Sequence, residues 1–443
     1  MNRVAFLGSG AALGTFAGID VAFAQPTPPV TPAPPVAAHK RASQFFNDSS
    51  MNFVLLIVLA QAAFGCGDVG TTLAIFDRIE DGNPGSAYAA LTAEGRRIRA
   101  LADAARAAGH RVSARDLYLQ ASSYIYVSLY FCDGMGAPER MPATFRESRE
   151  AADAAFALLG HPVDRIEIPY EKISMPGYFI KPDARNVKRP LLILVNGSDG
   201  SVLDMWAQGG KSALERGYNI LIFDGPGQGV MLWDRHTFFR PDYEAALTPI
   251  VDYALARPDV DPRRIAVQGI SQGGFWVPRA LAAEHRVAAA IADPGAYDLS
   301  QTFWSHLGPP ALALLNAGRK AQFDGGFAQL PPNAVAAFTF RARPYGFTSA
   351  YDLFMAVKAY TMAGYVDKVR TPLWIANPDN EQFFTGQPKQ LFDALPTSQK
   401  VLVPFTVAEG ADGHCEPATP QLRSQRAFDW LDTQLGYNGE PAA

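Results

Sequence analysis

Cysteine is scarce in this chain, with three in 443 residues. That number fits either redox compartment. Cys66 and Cys132 fall in one helical region and could pair where conditions are oxidising, while Cys415 directly follows a histidine and is left over. No C-x-x-C and no H-E-x-x-H spacing occurs, so the familiar metal-ligand patterns are missing and neither metal nor cofactor is expected. A long basic run is also missing and the formal net charge is −4, which argues against nucleic acid as a partner. The apolar run from Met51 to Phe64 is too short to span a bilayer and reads as a buried helix, so no stable membrane anchor is expected there.

What is present is ordinary globular material, 48% apolar and 19% charged, long enough for two domains and a large core. Arg3, the small apolar stretch Val4 to Val21 and Ala22-Phe23-Ala24 read as a signal segment over residues 1–24. This predicts export with cleavage after Ala24, into the periplasm or medium of a bacterial source. Residues 25–42 form a Pro-rich spacer. Residues 43–160 read as a helical domain. Thr92 to Ala108 has helical spacing closed by Gly109, and Ser113-Ala-Arg-Asp116 looks like a capping box opening a helix through Tyr130. Tyr118, Tyr124, Tyr126 and Tyr130 on that helix read as core packing, or as the roof of a site for an aromatic or extended substrate.

Beyond His161 the period changes. Arg165 to Tyr170 and Met175 to Lys181 alternate like an edge hairpin. Short apolar runs follow at Leu191–Val195, Asn219–Phe223, Ile265–Val267, Ala288–Ala292, Leu373–Ala376 and Val401–Phe405, most separated by helix-length segments. Buried strands alternating with helices predict an α/β domain over 161–443, its mostly parallel sheet covered on both faces. Leu299 to Asp367 is too long for a plain crossover and reads as an inserted lid, about 299–367.

The chemistry centres on Gly269-Ile-Ser-Gln-Gly273, between a strand and a helix. G-x-S-x-G in that setting is a nucleophile elbow, a sharp turn that exposes a serine hydroxyl at the end of a sheet. Ser271 is the candidate nucleophile. A serine hydroxyl needs a base, and His414, in the loop after the last strand, stands where the order nucleophile, acid, histidine puts it. His306, in the lid, is the rival among the other histidines. Asp379 is the expected acid, being nearer the strand end, with Glu381 as the alternative; Asp412 is expected to shape the histidine loop. Two backbone N–H donors should hold an oxyanion: Gln272, and Gly197 or Ser198 in Asn196-Gly-Ser-Asp-Gly200. Asp224-Gly-Pro-Gly-Gln-Gly229 has no G-K-[ST] and reads as a tight turn flooring the site.

Taken with Gly410-Ala-Asp-Gly-His414 and the helical stretch from Gly65 to Gly134, these motifs resemble the α/β-hydrolase superfamily. More narrowly, they resemble the branch with an N-terminal helical domain that includes 2,6-dihydroxypseudooxynicotine hydrolase and fungal polyketide-shortening hydrolases. The resemblance implies an α/β-hydrolase fold with that helical domain and a lid, and a triad at Ser271, Asp379 and His414. Some members of the branch cleave esters and others a carbon–carbon bond next to a ketone; the latter use a further acid, for which Asp293 or Asp298 is the candidate here. The expected function is therefore an exported serine hydrolase acting through an acyl-enzyme on a bulky or aromatic small molecule. A peptidase-like hydrolase and a hydrolase-fold binding protein without turnover are the alternatives, and a homodimer stays open.

Overall fold

The computed structural model describes residues 43–439. The expected signal segment, its cleavage site at Ala24 and the spacer over 25–42 lie outside the described residues, as does His39.

Five helices come first: α1 Ser49–Ala60, α2 Val69–Phe76, α3 Pro84–Ala107, α4 Arg111–Ser128 and α5 Met141–Phe156. Asp48 caps α1 by accepting from the Met51 N–H, and a short tight turn over Gln61–Phe64 ends at Gly65, whose φ of 79° suits glycine. α3 starts eight residues before the expected Thr92, because Asn83 caps it and Pro84 fills its first position. α4 starts at Arg111 without a side-chain cap, so Ser113 lies inside the helix and the expected capping box does not form. α3 and α4 approach closely at Gly95, where a Cβ would sit 2.6 Å from Ile125 Cγ1.

The strands are β1 Val163–Tyr170, β2 Ile173–Ile180, β3 Arg189–Val195, β4 Asn219–Phe223, β5 Val260–Ile270, β6 Ala289–Asp293, β7 Leu373–Pro378 and β8 Lys400–Phe405. They form an eight-stranded sheet in the order β1-β2-β4-β3-β5-β6-β7-β8. The β1–β2 hairpin and the β2–β4 pair are antiparallel, and the remaining pairs are parallel. β3 and β5 run side by side from Leu191↔Ile265 to Val195↔Gly269, so the loops leaving both strands emerge together. Ligands bind at such carboxyl ends.

Alternation along the strands divides the core between two faces. Leu192, Leu194, Ile220 and Ile222 pack with α1–α5 and the C-terminal helix Pro420–Leu435. Leu191, Ile193, Val195 and Val267 pack with the helices Glu244–Leu255 and Gly273–Ala280 and with the segment between β6 and β7. That inserted segment has its own aromatic cluster, with the rings of Phe323 and Phe354 5.4 Å apart and those of Phe338 and Phe354 stacked at 5.8 Å. Within it the helix Ala350–Ala356 gives way to a tight turn over Val357–Ala359, and Thr361 then bridges Asp298.

Cys66, Cys132 and Cys415 are buried free thiols, so Cys66 and Cys132 are not joined. Burial pushes Cys66 well up, and pushes Cys132 up to about 12.

Candidate active site

β5 ends in the sharp turn that its glycines demand. Ser271 has φ 54°, a left-handed conformation that costs any residue with a Cβ. The neighbouring glycines make it possible. A Cβ on Gly269 would lie 2.1 Å from the Gly273 oxygen, and one on Gly274 would lie 1.9 Å from the Pro294 oxygen. The Ser271 N–H donates to the Asp293 carbonyl at 2.7 Å, which fixes the turn against β6. The helix Gly273–Ala280 then begins, and the serine oxygen faces the site.

His414 Nε2 lies 2.8 Å from Ser271 Oγ. His414 Nδ1 meets both oxygens of Glu381, at 2.8 and 2.9 Å, and both residues are buried. A carboxylate on Nδ1 selects the tautomer with the proton there, which leaves Nε2 free to accept from the serine hydroxyl. Glu381 Oε1 also accepts from the N–H groups of Phe383 at 2.8 Å and Phe384 at 2.9 Å, so the carboxylate is held from its own turn.

The expected acid, Asp379, is not the partner of His414. It is exposed; its N–H continues the ladder to Phe405 at 2.9 Å, and its carboxylate accepts from Val407 N at 3.1 Å, on the β8 side. The chain runs two residues beyond the strand before folding back, and the longer glutamate bridges the remaining gap. Asp412 ties this turn to the histidine loop by accepting from Asn380 Nδ2 at 2.5 Å. His306 is not among the side chains lining the site, and burial pushes its imidazole down to about 4.

Gly197 lies directly over the serine, where a Cβ would come within 2.7 Å of Ser271 Cβ. Its N–H is already taken by Asn196 Oδ1 at 2.8 Å. That bond competes with a role for Gly197 as an oxyanion donor, and the other two expected donors, Ser198 and Gln272, both line the cavity. Gln228, from the turn over 224–229, donates to the Asn196 carbonyl at 2.9 Å and to the Gly197 carbonyl at 2.8 Å. That turn props the loop from behind and does not floor the cavity. From the other side, Tyr126 and Tyr130 donate their hydroxyls to the Asp199 carbonyl at 2.6 and 3.1 Å.

The cavity over Ser271 is walled by Phe53, Ile57 and Phe64 from the N-terminal helices, Phe303 and Tyr345 from the inserted segment, and Phe383. The Phe383 ring packs 4.5 Å from the imidazole. Polar groups interrupt this wall at Gln61, Asp204 and Arg341, and again at Glu416 and Arg423 beside His414. Burial, then the nearby Asp293, push the Glu416 carboxyl well up. Neither Asp293 nor Asp298 lines the cavity. Asp293 is fully buried against Arg423, with Nε at 3.5 Å, and Asp298 caps the helix Leu299–Trp304 through the Ser300 N–H at 2.8 Å. The tyrosine stretch divides between the two readings open in the sequence. Tyr124 is wholly buried, with its hydroxyl 2.9 Å from Thr72 Oγ1, while Tyr130 faces the cavity. The aromatic wall from α1 gave no sequence signal beyond an apolar helix, and Arg341 gave none.

Among the described residues no cluster of three His, Cys, Asp or Glu side chains is placed to hold a metal ion. A mostly parallel sheet, a strained serine elbow and a histidine behind the last strand define the α/β-hydrolase fold. No family model matches the chain. Hydrolase acrC of Aspergillus aculeatus is 31% identical over 425 residues, covering 88% of this chain and 98% of its own length. The 20-hydroxy-prefusarin hydrolase FUS2 of Gibberella moniliformis is 28% identical over 414 residues, covering 88% and 97%. Among solved structures, 2,6-dihydroxy-pseudo-oxynicotine hydrolase matches with a TM-score of 0.68 at 19% identity, covering 86% of this chain and 97% of its own, a likeness of fold. The chain belongs to the α/β-hydrolase superfamily and is a hydrolase related to these fungal enzymes.

Proposed function

We propose that the protein is a serine hydrolase that works through an acyl-enzyme. The observation that carries this reading is the unbroken hydrogen-bonded line from Glu381 through His414 to Ser271 Oγ, ending on a serine held at positive φ. Ser271 Oγ attacks a substrate carbonyl as its proton passes to His414 Nε2. Glu381 stabilises the imidazolium without taking the proton. The N–H groups of Gln272 and Ser198 receive the developing oxyanion, and the imidazolium then protonates the leaving group. Water, activated by the same imidazole, releases the acid. The leaving group is an alkoxide when the bond cut is an ester, and a carbanion when it is a carbon–carbon bond beside a ketone.

The aromatic wall fits a bulky or aromatic small molecule, in keeping with the relative named for 20-hydroxy-prefusarin. The chain is further proposed to be exported, its first 24 residues removed; N-terminal sequencing of mature protein checks this, and an intact Met1 would reject it. Turnover of aryl esters assayed beside β-diketones tests the chemistry. At least one class should be hydrolysed by the wild type, and Ser271→Ala should lose about 10^6 in kcat. Equal turnover by Ser271→Ala would reject the mechanism.

A further inference from the structure

The inserted segment touches the oxyanion site at two points that the chemistry above does not use. Its helix Pro332–Ala342 runs into the short turn Arg343–Tyr345, and the side chains of Arg341, Arg343 and Tyr345 reach three different parts of the molecule. Arg341 pairs with the Asp199 carboxylate. Tyr345 donates its hydroxyl to Gln272 Oε1 at 3.1 Å. Between them, Arg343 forks onto Asp133, in the connection between α4 and α5, with contacts of 2.9 and 2.8 Å, and pins the segment in place.

The two receiving residues are not arbitrary. Asp199 follows Ser198, and Gln272 follows Ser271, so each contact lands on or beside a proposed N–H donor. Asp199 is also gripped through its carbonyl by Tyr126 and Tyr130, which leaves its carboxylate as the handle reachable from the inserted segment. The side chains of Arg341 and Asp199 are 12% and 17% exposed, so neither charge is left to water and each is tied to the other. The Arg341 guanidinium also lies 5.5 Å from the Phe383 ring, the ring that packs against His414. A donor displaced by even an ångström no longer points at the oxyanion.

We propose that Arg341 and Tyr345 are positioning residues for the oxyanion site, holding the Ser198 donor through Asp199 and the Gln272 donor through its side chain. The catalytic site is complete only when the inserted segment is seated. This rests on Ser271 being the nucleophile.

The test is the rate at which a fluorophosphonate probe labels the serine, since its phosphoryl oxygen enters the oxyanion site. Arg341→Gln and Asp199→Asn should each slow labelling about 100-fold. The double variant should be no slower than either single, because both remove one contact. Tyr345→Phe should slow it to a lesser degree. The midpoint of the pH–rate profile should stay where the wild type has it, whereas general loosening of the triad would move it. Additive losses, unchanged rates or a moved midpoint would overturn the proposal. Asp199→Asn carries the same test should Arg341→Gln fail to fold. A wild type that is never labelled would instead sink the serine mechanism itself, and a labelled wild type with unimpaired variants would sink only the positioning role.

Discussion

Asp379 and Glu381 stand two positions apart after the same strand; the sequence favours Asp379, whereas it is Glu381 whose carboxylate meets His414. Strand order tells which loop brings the acid, but not how far the chain travels before turning back. Here the turn closes at Phe383 and Phe384, whose N–H groups hold Glu381 under the imidazole, while Asp379 stays on the exposed β8 side. Ser271 and His414 were legible because local patterns mark them, a glycine-flanked elbow and a loop after the last strand. Glu381→Gln should lower kcat about 10^4-fold through loss of the correct tautomer, and Asp379→Asn should stay near wild type in the same steady-state assay. The reverse ranking would restore Asp379. Gly269→Ala, with its Cβ 2.1 Å from the Gly273 oxygen, should destabilise the fold by more than the 1–3 kcal/mol or so of ordinary overpacking, since backbone must move, and a thermal melt reads it.

At the scale of elements, the strands were legible from short apolar runs because a sheet buried on both faces needs them. The start of α3 was not, because a residue pair, Asn83 and Pro84, set it in place of any hydrophobic period. The use of α4 as a support for the loop after β3 was invisible for a different reason: Tyr126 and Asp199 are far apart in sequence and meet only after the helices pack on the sheet. The inserted segment has a pH signature of its own. Burial holds His306 at about 4 against an ordinary 6.5, so the folded protein resists a proton that the unfolded chain accepts. The corresponding stability is complete above pH 6.5 and is lost as the pH falls through 4. The apparent Tm should therefore drop across that window, and His306→Gln should flatten the drop; an identical slope in the variant would contradict it.

For the whole molecule, the core does not stop where the helices end. Phe64, Tyr124 and Phe156 belong to the same buried cluster as Leu192, Leu194 and Ile222 of the sheet and Phe428 of the C-terminal helix. The period change near His161 marks where helices give way to strands, but the packing across that point is continuous. The helices at the start and the sheet should therefore melt in a single transition followed by both near-UV and far-UV circular dichroism. Two separated transitions would show that the helices form an independent unit. The same continuity explains why Phe53 and Phe64, distant in sequence from every motif, wall the cavity over Ser271. The most direct test of the central claim is peptide mass mapping after fluorophosphonate treatment of the intact protein. A single adduct on the peptide containing Ser271, lost in Ser271→Ala and strongly slowed in His414→Ala, is the predicted result. An adduct elsewhere, or one formed just as fast without His414, would contradict it.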